Sequence, residues 1–299
     1  MKIPYGELAA LGTALCWTMS SLAFTAAAKR LGSLALNLIR LLIALGLLTL
    51  ANAARRGLPF PIDATPEAWA WLSASAVVGF VIGDMALFRA FLLIGPRLSM
   101  LVMALSPPMT AVLGWIALGE ELKALDWLAM GVTLAGVAWV VFERAPAAKE
   151  EAPAGEKPIR GYLLALLGAA GQSGGMLLSK LGMKDYDAVA ATQIRVIAAV
   201  GIYSLLFLAL GWWGHVIRGF KHTSGMAFAA LGAAAGPFVG VTLSLVAIQH
   251  TQMGVAATIM SIVPVMIIPF VILINKERVS ARAALGAAVA VAGVALLWI

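Results

Sequence analysis

Two stretches of this 299-residue chain repeat one another, and both are apolar enough to fill a bilayer. Shifting the sequence by 155 residues lays Gly6 on Gly161, Lys29 on Lys184 and Arg40 on Arg195. A shift of 157 lays Gly83 on Gly240, Pro107 on Pro264, Glu120 on Glu277 and Gly136 on Gly293. A two-residue insertion in the second stretch reconciles the two shifts. Duplicated membrane halves place a binding site at the interface between them, near the bilayer midplane.

Composition narrows the class. The mean hydropathy is +0.96, with 62% hydrophobic and 12% charged residues, against roughly 25% charged in a soluble domain. Such a chain cannot cover a core with polar surface, so lipid must form its outside. The net charge of +7 raises nucleic acid, but no basic run carries interleaved aromatics, and the basic residues fall mostly between apolar runs. A nucleic-acid partner is therefore not expected. Cys16 is the one cysteine, which excludes an intramolecular disulfide and a multi-thiolate metal site. His215, His222 and His250 are too scattered for a zincin motif. No metal, cofactor or signal peptide is expected.

A spanning helix needs about 20 mostly apolar residues. Ten segments meet this, at roughly 7–28, 33–52, 68–93, 97–118, 125–143, 160–180, 188–212, 225–249, 254–274 and 281–298. The stretch 143–160 is rich in Ala, Pro and Glu and reads as a linker between halves 6–142 and 161–298. Five segments per half is an odd number. The second half must then enter from the opposite face, which predicts an all-α integral membrane protein of ten helices in two inverted five-helix repeats. That arrangement points to a carrier for a small molecule.

Orientation is contested. Lys2, Arg55, Arg56, Lys123, Lys180, Lys184 and Arg195 fall on the face of the N-terminus, and the other fourteen of 21 basic residues fall opposite. The positive-inside rule then puts both termini outside.

Gly232, Gly236 and Gly240 recur every four residues, as do Gly79 and Gly83, a spacing that lets helices approach closely in lipid. Pro107 and Pro264 interrupt the fourth and ninth segments, freeing the carbonyls of Met103 and Met260. Kinked helices flanking a cavity would use this; tolerated kinks would also produce it.

The stretch 106–141 carries Pro107, Gly119-Glu120, Gly131 and Gly136-Val137. Pro264, Glu277, Gly286 and Gly293-Val294 repeat the set, with Asn275-Lys276 in place of Leu-Gly before the Glu. This resembles the EamA-type repeat of the drug/metabolite transporter superfamily, and Arg40 resembles the arginine these proteins often carry in their second helix. The resemblance covers nearly the whole chain. It implies ten helices, cytoplasmic termini opposite to the basic-residue bias, and residence in a prokaryotic inner membrane. It also implies secondary transport of a metabolite, with export of an amino-acid-like or other amphipathic solute as the first expectation. Exchange of phosphorylated or nucleotide-linked sugars is the second. No P-loop supplies ATP chemistry. A membrane enzyme would need clustered nucleophiles or ligands, and none is visible; a purely structural protein would not need an intramembrane Asp. A homodimer is left open.

Ionisable groups inside a span cost about 2.5–3.5 kcal/mol each and are functional candidates by default. Asp84 sits about 15 Å from the end of its helix, and Arg40 about 10 Å in from the same face, so the two can meet. They could couple transport to protons, or only fix packing. Arg195 matches Arg40, but the counterpart of Asp84 is Val241. Arg195 either snorkels or binds an anion such as a substrate carboxylate. Trp17, Ser20, Ser21 and Phe24 share one helix face, and Gln172 and Ser173 open the matching face of the sixth segment. These are candidate cavity residues; serines between helices also serve as packing glue. Glu120 and Glu277 end helices at opposite faces and are expected to be gate or loop residues.

Overall fold

The computed structural model describes residues 4–143, 158–275 and 280–298. Among them every regular element is helical. Nine helical stretches are long and apolar enough to cross a membrane. The tenth expected segment is a shorter apolar helix, Ala281–Leu296.

The first half holds α1 (Tyr5–Leu31), α2 (Ser33–Arg56), α3 (Pro66–Ala76), α4 (Asp84–Met103), α5 (Ser106–Leu118) and α6 (Ala124–Glu143). The second holds α7 (Pro158–Met183), α8 (Ala188–Ala209), α9 (Trp213–Phe220), α10 (Thr223–Ala233), α11 (Val241–His250), α12 (Met253–Met260), α13 (Val263–Asn275) and α14 (Ala281–Leu296). Local chemistry sets several ends. Thr65 and Asp187 cap α3 and α8 by accepting from the Ala68 and Ala190 N–H groups. Gly119 closes α5 with φ +66°, a left-handed conformation that glycine adopts without strain. This explains the glycine of the Leu-Gly-Glu motif.

The third and eighth spans each contain a π-helical stretch. Val77–Gly83 and Ala234–Gly240 are π-helical, and a shift of 157 superposes them end on end. The wider π turn is rare and concentrates at functional sites. Pro107 and Pro264 also act differently from the expected mid-helix kinks. The fourth span breaks at Ala104–Leu105 and restarts at Ser106, so Pro107 lies in the first turn of α5. The ninth breaks at Ser261–Ile262 and restarts at Val263, just before Pro264. First-turn N–H groups have no intrahelical partner, so a proline there loses nothing. Short α9, on the face opposite the N-terminus, was not anticipated; it buries Val216 and exposes Ile217 and Phe220.

The halves meet through paired contacts. In the first interface α7 runs antiparallel to the third span: Gly171 meets Gly83, Gly175 meets Gly79, and Gly161 meets Leu93 and Ile94. In the second, α1 runs antiparallel to the eighth span: Trp17 meets Gly240, Ser20 meets Gly236, Phe24 meets Gly232, and Gly6 meets Thr251. In a third, Gly136 of α6 packs on Ala290 of α14 while Gly293 packs on Thr133. Residue 290 is the repeat counterpart of 133, and 293 of 136.

Candidate functional site

α1, the π segment Val77–Gly83, α7, α8 and α11 surround a cavity of about 40 Å³ inside the bundle. Trp17, Gln172, Arg195 and Ser244 line it beside Phe80, Met176, Leu245 and Ile248. A drug-sized site occupies roughly 300–1,000 Å³, so the cavity is too small to enclose such a solute in this structure.

Arg195 is the charged residue of the lining. The side chain is buried at 7% exposure, so it does not snorkel to the membrane surface. Its guanidinium stacks 4.6 Å from the Phe80 ring centroid. The π segment positions that ring, and the Tyr203 hydroxyl donates to the Phe80 carbonyl at 2.7 Å. No acceptor among the described residues hydrogen-bonds the Arg195 guanidinium, and its buried Nε has no partner.

Immediately after the π segment, at the first residue of α4, Asp84 Oδ2 accepts from Arg40 Nη2 at 2.8 Å. Arg40 also stands 5.7 Å over Phe24. Asp84 is near enough to Arg195 for their charges to interact, although no hydrogen bond joins them. A single carboxylate thus lies in the field of both repeat-related arginines. The close partnership expected for Arg40 and Asp84 is the observed geometry; its role is a separate matter.

The other cavity candidates divide. Trp17 and Gln172 line the void. Ser20 packs on Gly236, and Ser21 donates to the Thr18 carbonyl at 2.8 Å. Ser173 is fully buried and bonds the Ser106 hydroxyl and carbonyl at 3.1 and 3.0 Å. Ser20 and Ser173 join helices, Ser21 bonds within its own helix, and none of the three lines the cavity. Helical spacing identified their common face, but one face covers both void and contact.

Towards the N-terminal face lies an open vestibule of about 310 Å³ lined by Glu120, Lys180, Gln249, His250, Thr251 and Gln252. Beyond Gly119, Glu120 folds back into the bundle. Its Oε1 accepts from Lys180 Nζ at 2.6 Å and its Oε2 from the Met253 N–H at 2.8 Å. Glu120 therefore joins α5 to α7 and to the start of α12. Around it, Lys184 pairs with Glu67 at 3.2 Å and Arg55 with Asp187 at 3.2 Å, both across the halves. The Tyr186 hydroxyl donates to Asp63 at 2.9 Å, and Arg56 pairs with the same carboxylate. Partial burial pushes the Asp63 carboxyl up, but bonds from Tyr186, its own backbone and Arg56 together hold it below the ordinary carboxylate value. Glu277, with Lys276 and Arg278, lies outside the described residues. So does most of the 143–160 linker.

Repeated halves enclosing a polar-lined cavity in an apolar helical bundle define a multi-pass membrane transport protein. The sequence matches the EamA-like transporter family twice, over residues 4–142 and 159–299, and the chain belongs to that family. One solved crystal structure is similar over 97% of this chain and 94% of its own, with a TM-score of 0.75 and 19% identity. At that identity the likeness concerns the fold alone. No curated protein matches the sequence.

Proposed function

We propose that the chain is a secondary transporter that exports a small amphipathic organic solute by alternating access, with ten spans in two inverted halves. One observation carries the reading: the cavity is lined from both halves, by Trp17 and Phe80 on one side and Gln172, Arg195 and Ser244 on the other. The reciprocal contacts of α6 and α14 support inversion. Two helices exchanged by a two-fold axis yet running antiparallel require that axis to be perpendicular to them, in the membrane plane. Rocking of halves 6–142 and 161–298 about the cavity would then close one face as the other opens. Glu120 and Lys180 serve as the gate on the N-terminal face.

Asp84 is the coupling residue in this scheme. Its bond to Arg40 can open when the carboxylate takes a proton, and the change of access follows from that opening. Exchange of phosphorylated or nucleotide-linked sugars is less supported, because Arg195 alone among the basic residues lines the cavity. We place the protein in a prokaryotic plasma membrane with cytoplasmic termini. Arg40, half-buried and paired with Asp84, and Arg195, buried, drop out of the basic-residue count, yet the remaining bias still opposes that orientation.

The test is flux of a mixed metabolite pool in proteoliposomes, with and without a pH gradient, for the parent and Asp84→Asn. The variant should bind solute and lose most of its gradient-driven flux. It should also lose stability, by up to about 3 kcal/mol, because Arg40 is left without its counter-charge. Parental gradient-driven flux in Asp84→Asn would reduce Asp84 to a packing role.

A further inference from the structure

We infer that Arg195 anchors a carboxylate of the transported solute, at the position of a counter-charge that the second half lacks. The inference rests on the transporter reading above and adds the substrate class to it.

The two arginines are repeat counterparts in different states. Arg40 faces Asp84 and is neutralised at 2.8 Å. The counterpart of Asp84 is Val241, and Val241 and Arg195 line the same cavity. Where the first copy holds an Arg–carboxylate pair, the second holds an arginine, an aliphatic side chain and a void. A buried guanidinium without a bonded counter-ion is costly, and the forked donors of arginine match a carboxylate. Asp84 relieves Arg195 only through space, while its bond is committed to Arg40.

The rest of the lining fits such a ligand. Trp17 and Gln172 both line the cavity, and neither side chain makes a hydrogen bond among the described residues, although the indole N–H edge lies against Gly240. Neither Asp nor Glu lines it. Met176, Leu245 and Ile248 provide an apolar wall for the remainder of the solute. A phosphate dianion would call for a second cation, and the nearby Asp84 charge would oppose it. The fitting class is a monocarboxylate with an apolar or aromatic body. The void must widen to admit the whole molecule, as the proposed rocking allows.

The experiment uses the purified full chain in detergent. Thermal unfolding is followed with aromatic and branched aliphatic monocarboxylates, each beside its neutral amide and a phosphate ester of the same body. A ligand that binds only the folded state raises the unfolding temperature. The carboxylate of a set should stabilise the protein, and its amide and phosphate ester should not. Val241→Asp supplies the missing anion internally and should remove carboxylate binding while the protein stays folded. Arg195→Gln should weaken it about tenfold or more, with Arg195→Lys between, since lysine keeps the charge without the fork. The inference is overturned if amides or phosphate esters stabilise as well as carboxylates. It is equally overturned if no carboxylate stabilises, or if Val241→Asp folds and binds carboxylates as the parent does. Failure of the transporter reading looks different: carboxylate binding persists while liposomes accumulate none of the metabolite pool.

Discussion

The contact of α7 with the third span and the contact of α1 with the eighth span are two versions of one interface. Glycines lie at matched positions of the third and eighth spans: Gly79 and Gly83 in one, Gly236 and Gly240 in the other. What meets them differs. α7 brings Gly171 and Gly175, so backbone lies on backbone. α1 brings Trp17, Ser20 and Phe24, so side chains fill the glycine notches. Small residues therefore specify only that a close approach is available. Whether backbone or side chain occupies it depends on the facing helix.

That difference also moves the site off centre. Trp17 and its counterpart Gln172 both reach the cavity. Around them, Arg40 is paired and Arg195 is not. Two copies of one scaffold thus hold a closed ion pair on one side and a donor-lined void on the other.

The largest effect should come from filling the backbone-on-backbone contact. A Cβ on Gly171 would stand 2.8 Å from the Gly83 Cα and 2.9 Å from the Val78 carbonyl oxygen. Gly171→Leu should cost about 3 kcal/mol or prevent folding, as measured by detergent thermal unfolding and monodisperse yield. Cys16→Leu, at the counterpart position of α1, should cost about 1 kcal/mol, since that interface already accommodates side chains. Equal losses would break the comparison.

A smaller effect should follow at the proposed gate. Lys180 has Thr25 as its counterpart, so the Glu120–Lys180 bridge belongs to one copy only. Glu120→Gln removes a charge-assisted bond worth roughly 1.5–3 kcal/mol and should expose the cavity from the N-terminal face. The measure is labelling of Ser244→Cys by a membrane-impermeant thiol reagent, in a Cys16→Ser background. A rate increase of about tenfold is expected; an unchanged rate would remove Glu120 from the gate.

The smallest effect concerns the connection of α2 to α3. Tyr186 and Arg56 hold Asp63 there, whereas the counterpart connection in the second half contains α9. Because the folded Asp63 carboxyl lies below its ordinary value, its contribution is present above the unfolded pKa. It is lost as pH falls through the folded pKa. Parent and Asp63→Asn should therefore differ in thermal stability at neutral pH and converge in acid. A difference that persists at low pH would assign the effect to shape instead of charge.

The repeat, the apolar segments and the duplicated proline and glycine positions were legible because each is a local property with a fixed period or offset. The Arg40–Asp84 contact was legible too: two charges at similar depth from one face have few other partners in lipid. The π segments were not, since a one-residue widening of a helix leaves no compositional signature beyond the glycines at its ends. Nor could sequence divide the polar face of α1. Trp17 and Ser20 are one turn apart on the same stripe, yet the facing helix leaves a void at one and packs Gly236 on the other.

The sequence alone determined that this protein is a duplicated helical membrane bundle, because bilayer thickness and backbone hydrogen bonding in lipid leave a chain this apolar little choice. It also determined that Arg195 has no carboxylate of its own, since Val241 occupies the matching position. Only the tertiary structure decided that this arginine is buried against Phe80 beside a cavity and does not reach the membrane surface. Burial, stacking and empty volume depend on five elements meeting at one depth, and no single helix encodes where the others will stand.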